Sequence, residues 1–280
     1  MKIKNIGIVG FGLIGGSMGL GIKKYTSHNV YAFDNSEETL NYIRENNLCD
    51  GCFFPDDKML SCCDIVFIGL YPKNTVEYIN SNKLRFKKDA IICDLCGVKD
   101  YISKNVDKSI RFIGAHPMAG KEVNGVFNAS ANLFINASFL IALDDNTDKE
   151  AVEEISNLAR KIGFSKVVET SSKNHDKMIT FTSQLPHIMS VAYVMQDAFK
   201  KCDGFYAGSF KDMARVAKIN PNLWSELFKI NKEVLTSQID EYIDALNKIK
   251  NAVVSEGDEL YNLLLNSKEL KEWQDENYKN

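Results

Sequence analysis

Three glycines placed directly after an apolar run constrain this chain more than any other feature. Ile3 to Val9 reads as a strand that runs into Gly10, Gly12 and Gly15, and Leu13, Ile14, Met18 and Ile22 then recur at helical spacing. Strand, glycine-rich turn and helix in that order form the dinucleotide fingerprint in the context it requires. Gly10 makes the tight turn, Gly12 lets backbone approach a pyrophosphate, and Gly15 allows close helix packing. The amides that open the helix, those of Leu13 and Ile14 among them, receive the phosphates at the positive end of the helix dipole. A second apolar run, Asn29 to Phe33, ends in Asp34, close to the ~20-residue spacing of a ribose-binding acid. A carboxylate there accepts from both ribose hydroxyls and repels a 2′-phosphate, so the cofactor is read as NAD rather than NADP.

From Lys2 to about Thr170, short apolar runs alternate with amphipathic stretches. The strands expected are Ile3–Val9, Asn29–Phe33, Asp64–Ile68, Ala90–Cys93, Ile110–Ala115, Ser138–Leu143 and Lys166–Glu169. Helical patterns separate most of them, which predicts parallel pairing in a doubly wound Rossmann-type α/β sheet. After Thr170 the pattern becomes all-helical, with Leu223, Leu227, Ile230, Val234, Ile239, Ile243 and Leu246 at helical spacing. The expected division is a dinucleotide-binding domain over 1–170 and a helical substrate-binding and dimerisation domain over 171–280. The long apolar stripes exceed what one chain covers, and a homodimer with exchanged helices would bury them.

Composition excludes several classes. The 280 residues carry a net charge of −3 without a block of lysine and arginine, so neither a nucleic-acid nor a polybasic membrane footprint is present. No apolar run approaches the ~18 residues of a membrane span. Lys2 and Lys4 precede an apolar run as in a signal peptide, but the five glycines from Gly10 to Gly19 are unlike its apolar core. The expectation is a soluble, cytoplasmic protein. Cys49/Cys52 and Cys93/Cys96 have zinc-like spacing, yet an odd count of seven beside predicted strands reads as reduced, buried thiols rather than a metal site.

Three constellations carry chemistry. In Gly114-Ala-His-Pro-Met-Ala-Gly120, His116 follows a predicted strand, and Pro117 holds it extended. That is the carboxyl end, where open α/β sheets bind ligands, and it reads as a catalytic base or as a turn histidine bonded to backbone. In Asn174-His-Asp…Ser183-Gln-Leu-Pro-His187, Asp176, Ser183 and His187 fall within roughly 40° of one another on a helix, and Pro186 should bend it. His175 points away from that stripe and reads as a group behind the site or at the surface. In Phe210-Lys-Asp-Met-Ala-Arg215, Asp212 and Arg215 share a helical face. Arg215 anchors an anionic substrate with Asp212 orienting it, or the two form a surface ion pair. Trp224 reads as core or interface.

These motifs, in this order, resemble the prephenate dehydrogenase family, which includes the arogenate and cyclohexadienyl dehydrogenases of tyrosine synthesis. The resemblance rests on Gly10-x-Gly12-x-x-Gly15, the His-Pro-Met around His116, the His-Asp…Ser-x-Leu-Pro-His ending at His187 and the Phe-x-Asp-Met-x-Arg ending at Arg215. It implies NAD-dependent oxidative decarboxylation of prephenate, with His116 bonded to the ring hydroxyl. Arg215 would bind a substrate carboxylate, Ser183 and His187 the substrate side chain, and the chain would dimerise through its helical part. Arogenate or dual specificity is the neighbouring alternative. A β-hydroxyacid dehydrogenase shares the two-domain plan but has no place for the His-Pro motif, and a non-catalytic nucleotide-sensing dimer would not need His116, His187 and Arg215 together. One departure stands out: the family commonly carries Asp-x-Gly-Ser-x-Lys, and this chain reads Asp94-Leu-Cys-Gly-Val-Lys99. Gly97 occupies the serine position, so Cys96, a backbone amide or water takes over the hydroxyl's role, or the histidine is less well oriented. Because the helical pattern runs to the last residues, the expectation is a chain without the regulatory domain that some relatives append.

Overall fold

The order of elements follows the alternation of apolar runs and amphipathic stretches. The computed structural model describes residues 3–145 and 147–278. Its chain order is β1 (Asn5–Val9), α1 (Leu13–Tyr25), β2 (Asn29–Phe33), α2 (Glu37–Glu45), β3 (Gly51–Phe53), β4 (Ile65–Ile68), α3 (Pro72–Ser81), β5 (Ile91–Asp94) and α4 (Asp100–Asn105). There follow β6 (Phe112–Pro117), β7 (Ser138–Leu143), α5 (Lys149–Lys161), β8 (Lys166–Ser171) and α6 (Ser172–Ile179). A π-helical turn, Thr180–Gln184, leads into α7 (Leu185–Val194), α8 (Gly208–Arg215), α9 (Pro221–Ile230), α10 (Lys232–Val254) and α11 (Glu259–Asn277). The chain divides into two compact units, one ending at Lys232 and one starting at Glu233.

Local chemistry sets the helix ends. Ser36 accepts from the Thr39 amide to open α2, Asp148 accepts from the Glu150 and Ala151 amides to open α5, and Pro72 occupies the first turn of α3. The eight strands form one sheet in the order β3-β2-β1-β4-β5-β6-β7-β8. β4 and β5 are buried along their whole length, as strands covered on both faces must be. Ile6, Ile8, Phe11, Met18 and Ile22 lie in the core on one side of the sheet, and Val9, Phe33, Val66 and Ile68 in that on the other. Strand order reverses between β1 and its neighbours β2 and β4, which places a crevice at their carboxyl ends.

Two sheet features differ from the sequence expectation. β7 pairs antiparallel to β6, while all other pairs are parallel. The segment joining them holds only a short 3₁₀ turn, Val126–Asn128, and without a crossover helix the returning strand runs the opposite way. The second is β3, three half-buried residues beside β2, too short to show a period of two.

The apolar stripe read from Leu223 to Leu246 is split between α9 and α10. Ile243, Leu246, Ile249 and Val253 of α10 and Leu264, Leu270 and Trp273 of α11 remain exposed. Among the described residues, no helix is long and apolar enough to cross a membrane. All seven cysteines are free thiols, and no group of three His, Cys, Asp or Glu side chains among the described residues converges as metal ligands do.

Candidate active site

The glycine turn is built for a ligand that needs backbone. Gly10 has φ near 80°, and a Cβ there would lie 2.7 Å from the Gly69 carbonyl oxygen at the end of β4, so only glycine fits. A Cβ at Gly15 would drive into the Gly10 carbonyl, whereas one at Gly12 would meet nothing within 4 Å. The start of α1, at Leu13 and Ile14, has no side-chain cap and no acidic residue in its first turn, which leaves its amides open to an anion. Asp34 ends β2 with both oxygens engaged: one accepts from the Phe11 amide at 2.8 Å, the other from the Ser36 amide at 2.9 Å. Its carboxylate lines a cleft of about 330 Å³ whose lining includes Glu77 and no lysine or arginine. Open amides over Gly12, an anchored acid and an acidic cleft fit a dinucleotide with a free ribose.

His116 sits at the carboxyl end of β6, partly exposed. Its Nδ1 lies 3.0 Å from Nε2 of His175, and Nδ1 of His175 lies 2.7 Å from Oδ1 of Asp176. Asp176 in turn accepts from the amides of Lys99 at 2.7 Å and Asp100 at 3.0 Å, capping α4, which has no side-chain cap of its own. Lys99 is buried and pairs with buried Asp94 at the end of β5. Nε2 of His116 makes no hydrogen bond among the described residues. A Cβ at Gly97 would stand 3.8 Å from it and 3.7 Å from Leu227, so with glycine there no side chain of residue 97 covers that flank of the ring. The Cys96 thiol is engaged elsewhere, with the Leu70 carbonyl at 3.2 Å and the Thr75 hydroxyl at 3.3 Å. It does not replace the missing serine hydroxyl.

The helical cluster differs from the single stripe expected. Asp176 faces α4, while Nδ1 of His187 donates to the Ser183 carbonyl at 2.8 Å and its ring stacks on Trp224, centroids 3.8 Å apart. The π turn causes the difference: the Leu185 amide bonds the Thr180 carbonyl five residues back, which adds a residue to the turn and rotates the helix beyond it. Pro186 has no amide for the turn before it. Buried Asn231 ties this turn down, donating to Thr180 at 2.6 Å and Gln184 at 3.0 Å. Trp224 and Leu227 are one turn apart on α9, so the helix that stacks on His187 also borders Gly97. α9 is itself tied to the nucleotide half: Glu226 accepts from the Lys73 amide at 2.8 Å, and Asn220 donates to the Tyr71 hydroxyl at 3.0 Å.

Arg215 pairs with Glu122, on the segment after β6, and not with Asp212. The turn of α8 allows an Asp212 contact, but a carboxylate 93 positions away in sequence takes the guanidinium. Asp212 is exposed. The Glu122 carboxylate raises the pKa of the His187 imidazole and the Arg215 charge lowers it, both less than burial does. His175, read as a group behind the site or at the surface, is 1 % exposed and touches His116. Its signal is the adjacent Asp176, which the stripe reading assigns to the other cluster.

Burial holds the His116 imidazole well below its ordinary pKa, helped by His175 and Lys99, so the ring is neutral at pH 7. His28, His175 and His187 are lowered as well, in each case chiefly by burial. These are all four histidines of the chain. The unfolded chain binds their protons near pH 6.5 and the folded chain only at lower pH, so this stability is present above about pH 6.5 and is lost as pH falls below it. The thermal midpoint is expected to drop between about pH 7 and pH 5, before carboxylates titrate. A flat midpoint across that window contradicts neutral burial.

A Rossmann-type glycine turn after β1 and a histidine at the carboxyl end of β6 in the same sheet define a nucleotide-dependent oxidoreductase. Residues 18–168 match the family described as prephenate dehydrogenase, nucleotide-binding domain, and residues 171–266 match prephenate dehydrogenase, dimerization domain. The chain belongs to the prephenate dehydrogenase family, and its cofactor is NAD. It is 29 % identical over 279 residues to prephenate dehydrogenase of Bacillus subtilis, spanning 96 % of this chain and 74 % of that protein. It is 29 % identical over 263 residues to cyclohexadienyl dehydrogenase of Zymomonas mobilis, spanning 90 % and 89 %. Among solved structures, prephenate dehydrogenase from A. aeolicus in complex with hydroxyphenyl propionate and NAD+ superposes with a TM-score of 0.87 at 26 % identity, over 98 % of this chain and 99 % of that one. Arogenate dehydrogenase from Synechocystis shares the fold, with a TM-score of 0.80 at 24 % identity over 96 % of this chain and 99 % of that one.

Proposed function

We propose that this chain oxidatively decarboxylates prephenate to 4-hydroxyphenylpyruvate in tyrosine biosynthesis, with His116 as the base. The observation that carries the reading is the neutral His116 ring, held through Nδ1 and without a partner at Nε2 among the described residues, at the carboxyl end of the sheet that bears the glycine turn. The cofactor, held by Gly10, Gly12, the amides of Leu13 and Ile14, Gly15 and Asp34, supplies the hydride acceptor when bound. Nε2 of His116 takes the proton of the ring hydroxyl as the carbinol carbon becomes a carbonyl. Loss of the ring carboxylate as carbon dioxide sends its electron pair into the ring, which becomes aromatic. The new phenolate needs one proton, and His116 returns the one it took, so the base ends the cycle neutral. Arg215 exchanges Glu122 for the substrate carboxylate and positions it. Ser183 and His187 border the substrate side chain, and Asp212 stands at the exposed rim.

The same site would serve arogenate, which carries an amine where prephenate carries a ketone. Both substrates have relatives that use them by name. Following NADH formation with prephenate and with arogenate separates the two, and no NADH from either would remove the proposal. The division of labour we propose is cofactor binding by residues 1–170 and substrate binding with homodimer formation by residues 171–280. The exposed apolar faces of α10 and α11 supply the reason for a second copy.

Asp34→Ser is expected to narrow the preference for NAD over NADP by about tenfold or more, the worth of ~1.4 kcal/mol at the ribose. It removes the charge that repels a 2′-phosphate and adds no cation, so NADP should gain without overtaking NAD. An unchanged ratio of kcat/KM for the two cofactors would take Asp34 out of cofactor selection.

A further inference from the structure

We propose that His175 and Asp176 are positioning residues which fix His116 in the Nδ1–H tautomer, leaving the lone pair of Nε2 on the Gly97 side. This deepens the reading of His116 as the base. Asp176 has two backbone amides aimed at its oxygens, those of Lys99 and Asp100, and as a carboxylate it can only accept. Nδ1 of His175, 2.7 Å from Oδ1, must therefore carry a hydrogen. The opposite tautomer would set a ring lone pair against an anionic oxygen.

His175 is buried and neutral, so its second nitrogen bears the lone pair. That nitrogen lies 3.0 Å from Nδ1 of His116, which must then donate. The proton of His116 is thereby consigned to Nδ1, and Nε2 is free to accept. Free imidazole side chains favour the reverse, a hydrogen on Nε2, which would present a donor to the substrate instead of a base. When Nε2 takes a proton, the Nδ1–H of the imidazolium is already committed to His175, and the line ends on the Asp176 carboxylate. The positive charge that forms is stabilised without any side chain moving. The relay holds the ring from the side opposite Gly97.

The tautomer is directly readable. Nitrogen-15 labelling of the imidazoles, with the His116→Asn variant to assign the signals, reports which ring nitrogen carries the proton in the protein without substrate. A proton on Nδ1 of His116 is expected, and a proton on Nε2 in the native protein would overturn the proposal. Two variants add a kinetic reading. The oxygen of Gln reaches the Nε2 position of His175 and keeps an acceptor for His116, whereas Asn ends one atom short. His175→Asn should lose roughly a hundredfold in kcat with the KM for NAD unchanged, and His175→Gln should stay within about tenfold of the native enzyme. Equal losses in the two variants, or none in either, would assign His175 to packing and overturn the relay. Because the tautomer is measured without substrate, an Nδ1–H result with no turnover of prephenate would leave the relay standing and remove the substrate assignment alone.

Discussion

Replacing His116 with Asn is expected to lower turnover by about 10²–10⁴, the usual worth of a positioned base, while NAD affinity stays nearly unchanged. The Asn amide ends near the Nδ1 position, so it can still donate toward His175, and Pro117 keeps the strand end extended. What disappears is Nε2, the one nitrogen of the ring that no protein group engages among the described residues. The proposed cofactor contacts, Gly10, Gly12, Gly15 and Asp34, make no bond to His116. The loss should therefore fall on kcat, with calorimetric NAD binding as the control for folding. Near-normal turnover in the purified variant removes His116 from the chemistry.

Arg215→Ala is expected to raise the KM for prephenate roughly ten- to a hundredfold. The Arg215 side chain is 61 % exposed and pairs with exposed Glu122. An exposed pair of this kind contributes at most ~1 kcal/mol to stability, so the thermal midpoint should hardly move. A charge-assisted bond to a substrate carboxylate contributes ~1.5–3 kcal/mol, and that difference appears in KM. Lys at this position should restore only part of the loss, because an ammonium lacks the planar fork that meets a carboxylate at two points. Steady-state kinetics of the two variants decide the matter: an unchanged KM in Arg215→Ala leaves the residue as a surface partner of Glu122.

The features legible in the sequence are those whose cause is local. Gly15 is required by backbone five residues away and Gly10 by its own positive φ, and β2 and β7 run over the residues that their apolar runs predict. His116 is legible because a strand precedes it and a proline comes after it. The features that escape depend on contacts distant in sequence. His175 reaches His116 across 59 positions and Glu122 reaches Arg215 across 93, and no periodicity carries that information. The direction of β7 depends on how a segment without regular helix crosses the sheet edge. Asp176 falls among the wrong neighbours for another reason. A uniform 100° step carried through residues 180–184, where the helix widens, accumulates an error in angle by His187.

The widened turn also sets what kind of change the site can absorb. Phe181 is 62 % exposed and Thr182 faces solvent as well, so the chemistry of either side chain matters little to the ring they precede. The turn absorbs a change in their number too. Each residue of a helix advances its direction by about 100°, and the π turn acts as a phase offset that brings His187 over Trp224 while Asp176 stays under α4. Deleting Phe181 or Thr182 would close the widened turn into a regular helix one residue shorter, with its downstream half still facing the same way. The π turn thus takes up one surplus residue at the solvent face while the ring of His187 keeps its aim, and the segment can change length there as well as spelling.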